Sequence, residues 1–576
     1  MDKTIQNLYD QWLDSPVIDD ATKAELRAIA GDEAEIEDRF YRSLEFGTGG
    51  LRGVIGAGTN RMNIYTVTMV TQGLANYICE KGFASCGVVI SYDSRNMSPE
   101  FAMATALCVC ANGIPAYLFT SLRPTPELSY AVRYLKCISG INITASHNPA
   151  KYNGYKVYWE DGAQIVSPVD KEIIAKVNAI ADLSEVKKMS KEDAIAKGLL
   201  HLIDKDVDDA YIAELHKLVM RQDLIDKASD LKIVYTPLHG TGLVPVTRVL
   251  SELGFKNVYV VPEQEKPDGN FPTVKAPNPE AKEAFALGLT LAKKVGAELV
   301  MATDPDGDRL GIYALDSESG EYKEFTGNMS GALLCEYVLS QLQEKGTLPE
   351  NAAVTSTVVI TSMIRNICKE YGVFCDDNNL IGFKYIAGKI RDYEQTGSHT
   401  YVFGLEESYG CLPGTYARDK DAVGTVMLLA EAAAYYKDKG MTLWDQMKFL
   451  FEKYGYYREN IETMTLEGKS GAQKIQSMIQ SLRDNPLDEI GGYKVKSIRD
   501  YKLNTVLNTE TGEQTAGDLP KSNMIYYELE DDTWFLVRPS GTEPKIKFYL
   551  GVKGTSVEDS IEKTKALGAT IKAMFA

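Results

Sequence analysis

Cysteine is sparse in this 576-residue chain: Cys79, Cys86, Cys108, Cys110, Cys137, Cys335, Cys368, Cys375 and Cys411 are odd in number, and no CxxC pair occurs among them. That argues against a zinc ribbon, a dithiol redox site and a disulfide-stapled scaffold, so reduced thiols and a cytoplasmic location are expected. Long apolar runs are also missing. The most apolar stretch, Phe101 to Phe119, is broken by Asn112, Gly113 and Pro115 and reads as helix, turn and strand, so no membrane span is expected. The opening MDKTIQNLYDQWLDS lacks a basic start followed by an apolar core, and no secretory signal is expected. Positive charge is in deficit, with 62 Lys and Arg against 80 Asp and Glu for a net charge of -18. Nucleic acid is therefore a disfavoured partner, although a few arginines in a cleft can still hold a small phosphorylated molecule.

What the chain does contain is ordinary globular material, 44% hydrophobic and 25% charged, long enough for about three to five domains. An acidic helical opening leads into a glycine-dense loop, Phe46 to Gly58, where the backbone must turn tightly or approach something closely. Strand and helix then alternate. Gly87 to Tyr92, Ser98 to Asn112 and Ala116 to Thr120 form a β-α-β unit. The rhythm returns at Leu231 to Thr236, a helix around Val244 to Gly254, Asn257 to Val261, a helix around Ala281 to Val295 and Ala297 to Ala302. It returns again at Ala352 to Ile360, a helix to Tyr371, and Thr400 to Phe403. The last hundred-odd residues differ, with strands Trp534 to Arg538 and Lys545 to Gly551 and a helix from Val557 to Met574. Charged stretches at Leu183 to Lys197 and Lys437 to Lys439 read as solvated faces or linkers. The expected segmentation is 1–205, 206–320 and 321–455 as α/β domains and 456–576 as a smaller α+β domain.

Four motifs carry chemistry. Asp304-Pro-Asp-Gly-Asp-Arg309 follows an apolar strand, and its alternating carboxylates, Asp304, Asp306 and Asp308, can converge on one hard cation such as Mg²⁺. An EF-hand is excluded, because Arg309 stands where that loop needs glycine and Leu315 where it needs glutamate. Thr144-Ala-Ser-His-Asn-Pro149 offers Ser146 as a phosphoryl acceptor, with His147 beside it and Lys156 ten residues on; it lacks the GxSxG elbow of serine hydrolases. Gly404-Leu-Glu-Glu-Ser408 presents carboxylates and a hydroxyl suited to sugar hydroxyls. Arg538-Pro-Ser-Gly-Thr-Glu-Pro-Lys545 surrounds a turn with a guanidinium, two hydroxyls and the amides around Gly541, a set that matches a phosphate dianion. Nucleotide motifs fail: Gly468-Lys469-Ser470 has Thr463 in place of the first Walker glycine, and Arg52 replaces the last glycine of GxGxxG.

Together these motifs resemble the α-D-phosphohexomutase superfamily, and FGTGGLRG resembles its phosphoglucomutase and phosphopentomutase branch. The resemblance implies an α/β fold: three related α/β domains with mixed sheets plus a smaller C-terminal α+β domain around a central cleft. It implies that Ser146 carries a phosphoryl group and that Asp304, Asp306 and Asp308 bind Mg²⁺ together with a phosphoserine oxygen. Glu406 and Ser408 would contact sugar hydroxyls, and Arg538, Ser540, Gly541 and Thr542 would hold the phosphate that is not reacting. Arg52 would neutralise the phosphoserine and Arg309 assist beside the metal. For the general base, Lys156 and Lys420 match positions used by relatives, and His147 adjoins the nucleophile. Some relatives have a histidine where this chain has Gly410.

The implied reaction is a Mg²⁺-dependent transfer between glucose 1-phosphate and glucose 6-phosphate by way of a phosphoserine enzyme and glucose 1,6-bisphosphate, which is also the expected activator. Phosphomannomutase and phosphopentomutase are the near alternatives. A metal-assisted phosphomonoesterase, releasing inorganic phosphate from Ser146, belongs to another class, and a non-catalytic sugar-phosphate sensor is a third reading. The expected partner is a small phosphorylated sugar, with no nucleic acid and no membrane, on a monomer or weak homodimer.

Overall fold

A computed structural model of the chain describes residues 2–45, 50–466, 468–540 and 545–575. The chain divides into two compact units, Met1–Tyr313 with Gly410–Asp438, and Ala314–Tyr409 with Lys439–Ala576. Among the described residues no helix is long and apolar enough to cross a membrane.

In the first unit, short runs of valine and isoleucine are covered on both faces and become parallel strands. Val88–Tyr92 lies between Ala116–Phe119 and Ser139–Ile143, and Leu200–Ile203 extends the parallel set beyond Ala116–Phe119. Tyr152–Trp159 returns antiparallel beside Ser139–Ile143, with Gly50–Val54 antiparallel at the edge, so the sheet is mixed. The helix Ser98–Ala111 completes the expected β-α-β unit. A second parallel set, Asn257–Val260, Lys232–Thr236 and Leu299–Thr303, adjoins Leu310–Leu315. The expected helix over 281–295 is divided into a 3-10 turn, Lys282–Phe285, and an α-helix, Ala286–Val295, and neither start has a side-chain cap.

Three helices, Lys3–Asp14, Asp20–Ala28 and Glu33–Phe40, brace the glycine-rich opening. Trp12 meets Phe40 and Tyr65 edge-on, each at 5.7 Å, and the Tyr65 hydroxyl donates to Asp19 Oδ2 at 2.6 Å. Arg61 Nη2 reaches Asp38 Oδ2 at 2.5 Å, tying the opening to the third helix. The charged stretch at 183–197 is only partly solvated: Val186 and Ala194 are buried, the latter in the core of the first sheet. Lys437 likewise pairs with Glu298 and Asp230 at the end of the helix Ala422–Asp438.

In the second unit, Ala352–Ser356 pairs in parallel with Phe374–Asp376 and Thr400–Glu406. The first of these strands stops four residues short of its expected end. Val358 donates to the Asn379 carbonyl, and Val358 and Val359 pack with Trp534, Leu536 and Tyr549 of the C-terminal sheet. That sheet is antiparallel, running in the order Tyr456–Thr465, Lys545–Gly554, Trp534–Pro539, Ile525–Leu529, Tyr493–Asp500, Thr505–Asn508 and Gln514–Ala516. The helix Val557–Phe575 covers it, and Leu567, Ile571 and Phe575 enter its core.

Gly73 lies where the helix Ile64–Glu80 meets the helix Val169–Asn178, and a Cβ there would come within 2.8 Å of Val177 Cα. Alanine in place of glycine gains about 1 kcal/mol of helix propensity, but the backbone contact leaves no room for it. Gly73→Ala is expected to destabilise the protein by about 1–3 kcal/mol, read as a lower urea midpoint at unchanged slope; an equal or higher midpoint would contradict the tight crossing.

Candidate active site

Ser146 follows the strand Ser139–Ile143 on the loop to Tyr152–Trp159, and its backbone is left-handed, with φ of 52°. A non-glycine residue keeps that conformation only when its surroundings hold it. Two neighbours do so. The Ser146 amide donates to Thr144 Oγ1 at 2.8 Å, and Thr144 in turn donates to the buried Asp93 at 2.6 Å. The guanidinium of Arg95, also fully buried, donates to the carbonyls of Ser146, Asn148, Pro149 and Tyr152, with its Nε 3.3 Å from Asp93. Asp93 also accepts from the Arg95 amide and the Ser98 hydroxyl, each at 2.9 Å. Asp93 and Arg95 were not among the residues singled out in the sequence; their position just past the strand Val88–Tyr92 was the available signal.

The Ser146 hydroxyl donates to Asp304 Oδ2 at 2.8 Å and lies 3.2 Å from His147 Nδ1. Burial, reinforced by Arg309 and Arg52, pushes the His147 pKa well below the ordinary imidazole value, so the ring is neutral. Arg52 reaches the same loop, with Nη1 3.4 Å from Asn148 Oδ1. The sheet register makes this possible, because Gly50 pairs with Lys156 and Arg52 with Gly154.

Asp304, Asp306 and Asp308 are all buried, and one carboxylate oxygen from each lies within 4.8 Å of the others. Asp304 Oδ1 accepts from the amides of Asp308 and Arg309 at 3.1 and 3.0 Å. Lys156 Nζ stands 2.7 Å from Asp306 and 3.6 Å from Asp308; Lys420 Nζ stands 3.4 Å from Asp308 and 3.1 Å from Asp419. Thr125, another residue missed in the sequence, donates its hydroxyl to Asp306 Oδ2 at 2.9 Å and its amide to the Asp306 carbonyl at 2.8 Å. Arg309 pairs with Glu280 and lies 3.8 Å from Asp308.

Burial and the neighbouring Asp306 and Asp308 raise the Asp304 pKa well above the usual carboxyl range, and burial beside Asp306 also raises that of Asp308. Burial opposes ionisation at Asp306 too, but Lys156 overcomes it and holds that carboxyl low. Lys156 stays an ammonium because Asp306, Asp308 and Asp419 outweigh its own desolvation. Asp306 Oδ1 and Asp308 Oδ1 are buried without a hydrogen-bond partner. Oxygen donors clustered in this way, two of them orphaned, fit a hard divalent cation.

Gly410 explains an absence noted in the sequence. A Cβ at this position would fall 1.9 Å from Lys420 Cδ, so the stem of Lys420 fills the space that a side chain on residue 410 would need.

In the second unit, Glu406 ends the strand Thr400–Glu406, and the Ser408 hydroxyl donates to its Oε1 at 2.5 Å. Thr357 Oγ1 lies 3.3 Å from Glu407 Oε2. Tyr549 links this loop to the C-terminal one. It hydrogen-bonds Arg538 and feels both Glu406 and Glu407, and burial is the main cause of its raised pKa. The Ser540 amide donates to the Lys545 carbonyl at 2.7 Å, drawing together the ends of the expected phosphate turn. Gly541 and Thr542 lie outside the described residues. The first unit thus gathers Ser146, His147, Lys156, Lys420, Arg52, Arg309 and the three aspartates, and the second gathers Glu406, Ser408, Arg538 and Ser540.

Because the Asp304 pKa is raised, Mg²⁺ uptake by these carboxylates is expected to release protons. Because protons compete for the same oxygens, apparent affinity should fall as pH falls. Calorimetry in buffers of different ionisation enthalpy reads this directly, and a pH-independent affinity without proton release would contradict the arrangement.

Comparison with known proteins supplies the family. Models of the phosphoglucomutase/phosphomannomutase family match its alpha/beta/alpha domain I at residues 43–184, domain II at 209–317, domain III at 326–454 and the C-terminal domain at 496–564. A phosphoglucomutase of Staphylococcus haemolyticus is 38% identical over 522 residues, which is 91% of this chain and 92% of that protein. A phosphoglucomutase of Staphylococcus aureus is 37% identical over 93% of this chain and 94% of its own length. Among solved structures, the exocytosis-sensitive phosphoprotein pp63/parafusin of Paramecium, titled a phosphoglucomutase, aligns with a TM-score of 0.67 at 17% identity, covering 93% of this chain and 94% of its own. A family protein of Burkholderia thailandensis aligns with a TM-score of 0.64 at 20% identity, covering 92% and 97%. The four-part match and the near full-length relatives show that the chain belongs to the phosphoglucomutase/phosphomannomutase family, within the α-D-phosphohexomutase superfamily.

Proposed function

We propose that the protein is a phosphoglucomutase that interconverts glucose 1-phosphate and glucose 6-phosphate through a phosphorylated Ser146 and a glucose 1,6-bisphosphate intermediate. The observation that carries this reading is the Ser146 hydroxyl, held on a left-handed turn 2.8 Å from a buried aspartate whose partners Asp306 and Asp308 offer orphaned oxygens. The name phosphoglucomutase on relatives 35–38% identical favours glucose over mannose or pentose.

In the forward direction, the O6 hydroxyl of glucose 1-phosphate attacks phosphoserine phosphorus. The bond from phosphorus to Ser146 Oγ breaks as that to O6 forms, leaving serine and the bisphosphate. The bisphosphate turns over and returns its 1-phosphate to Ser146. Asp304, Asp306 and Asp308 would hold a Mg²⁺ ion, which when bound supplies charge neutralisation at the transferring phosphoryl oxygens. Lys156, held charged, adds to that field, and Arg52 and Arg309 neutralise the phosphoserine dianion. Neutral His147 orients the serine oxygen. The proton leaving the attacking hydroxyl is assigned to Lys420 in its neutral amine form, which takes it up to become the ammonium that Asp308 and Asp419 stabilise. Glu406 and Ser408 read sugar hydroxyls, and Arg538 with Ser540, Gly541 and Thr542 grips the idle phosphate. None of the nine cysteines, all among the described residues, forms a disulfide, which accords with a cytoplasmic enzyme.

Intact-protein mass spectrometry after incubation with glucose 1,6-bisphosphate should show one added phosphoryl group, localised to Ser146 by peptide mapping. Ser146→Ala should show none and should lose at least about a thousandfold in kcat while retaining its fold. Label on another residue, or full activity without Ser146, defeats the covalent route. kcat/KM should be highest for glucose 1-phosphate among glucose, mannose and ribose 1-phosphates. Gly410→Ala, which must displace the Lys420 stem, should lower kcat by about tenfold to a hundredfold with little change in melting temperature; unaltered turnover would remove Lys420 from the reaction.

A further inference from the structure

Within the first unit, a cavity of about 350 Å³ opens between the helix Lys205–His216 and the helix Leu243–Leu253, and none of its walls is a residue given a role above. Leu122, Ile212, Leu243 and Val244 make it largely apolar. Two of its lining residues carry a buried polar atom that lacks a partner. Glu127 Oε1 and Thr241 Oγ1 belong to residues only 2% exposed, and neither has a hydrogen-bond partner.

A buried acceptor left unsatisfied costs about 1–3 kcal/mol, and a ligand that donates to it recovers that loss. Burial and the hydrogen-bonded Asp208 raise the Glu127 pKa well above normal, so the carboxyl is neutral. Its proton is engaged on Asp208, and Oε1 remains a carbonyl-type acceptor on a residue that lines the cavity. The lining cations are already committed. Arg123 pairs with Asp208 and Asp204, its Nε staying 3.7 Å from Oε1, and Arg248 pairs with Asp209 and Glu252. An anion therefore meets no unpaired positive charge among these walls, whereas a neutral molecule with an apolar ring and one N–H or O–H donor matches both lining and acceptor.

The same two residues sit on segments that hold the aspartate loop. The Thr241 amide donates to the Pro305 carbonyl at 2.9 Å. Glu127 lies in the first turn of the helix Thr125–Tyr134, whose Thr125 binds Asp306 through both amide and hydroxyl. We propose that this cavity is an effector site for a small uncharged molecule carrying an apolar ring and one hydrogen-bond donor, and that its occupancy alters cation affinity at Asp304, Asp306 and Asp308. The coupling rests on reading the aspartates as a cation site; the binding does not.

Indole and N-methylindole are the probes, titrated into the full-length protein by calorimetry without metal and then with Mg²⁺. Indole should bind saturably at one site and about fivefold more tightly than N-methylindole, the worth of one hydrogen bond. Val244→Phe, at a position 69% exposed and so compatible with the fold, should fill the mouth and abolish indole binding. Saturating indole should shift the Mg²⁺ dissociation constant by at least about threefold, with the same factor returned on indole by Mg²⁺. Equal affinities for the two probes, no saturation, or binding that survives Val244→Phe overturns the site. Indole binding with an unchanged Mg²⁺ constant overturns the effector role alone, and Mg²⁺ failing to bind even without indole faults the cation reading instead.

Discussion

Three carboxylates folded into one buried turn repel each other, and much of the first unit is arranged around that repulsion. Two like charges 4 Å apart cost about 1 kcal/mol in water and about 4 kcal/mol at the effective dielectric of a protein surface. Here the countercharge comes from other segments. Lys156 projects from an antiparallel strand and Lys420 from the segment before the helix Ala422–Asp438, while Thr125 at the start of a helix adds a neutral hydrogen bond. Even so the balance is incomplete, since burial beside Asp306 and Asp308 raises the Asp304 pKa and Asp306 and Asp308 each leave an oxygen without a hydrogen-bond partner. Buried carboxylates left undercompensated in this way fit a divalent ion.

The Ser146 loop depends on a separate electrostatic device. Arg95 is buried with Asp93 and spends its hydrogens on four carbonyls of the Ser146 loop, so the left-handed backbone at Ser146 is fixed from below. A buried ion pair of this kind contributes little net stability, but removing one partner strands the other charge. Its value lies in position: it keeps the hydroxyl against Asp304 without any contact from the reacting side chains. In the second unit, Tyr549 connects Arg538 to the loop that carries Glu406 and Glu407, bringing a guanidinium near two carboxylates.

Contiguous motifs were legible because their residues are neighbours along the chain. The aspartate triplet, the Ser146 loop and the Glu406 to Ser408 loop each lie within a few residues at a strand end, where α/β sheets present their functional groups. The periodicity also identified Val88–Tyr92 and Ala116–Phe119 in the first sheet and Lys232–Thr236, Asn257–Val260 and Leu299–Thr303 in the second to within two residues, but not the other strands of those sheets. It overran at Val358 and Val359, whose β-branched side chains serve a packing contact with the C-terminal sheet rather than a ladder.

The amino-acid order alone determined which side chains can accept a phosphoryl group, ligate a hard cation or grip an anion, because those capacities belong to residue type and local spacing. Tertiary structure decided what state those groups are in. Lys156 is charged because a distant turn surrounds it with carboxylates, His147 is neutral because burial and two arginines make it so, and Gly410 bears no side chain where the stem of Lys420 passes. Arg95 and Thr125 became site residues only through sheet register and helix placement, since desolvation and Coulomb fields depend on distance through space and not on separation in sequence.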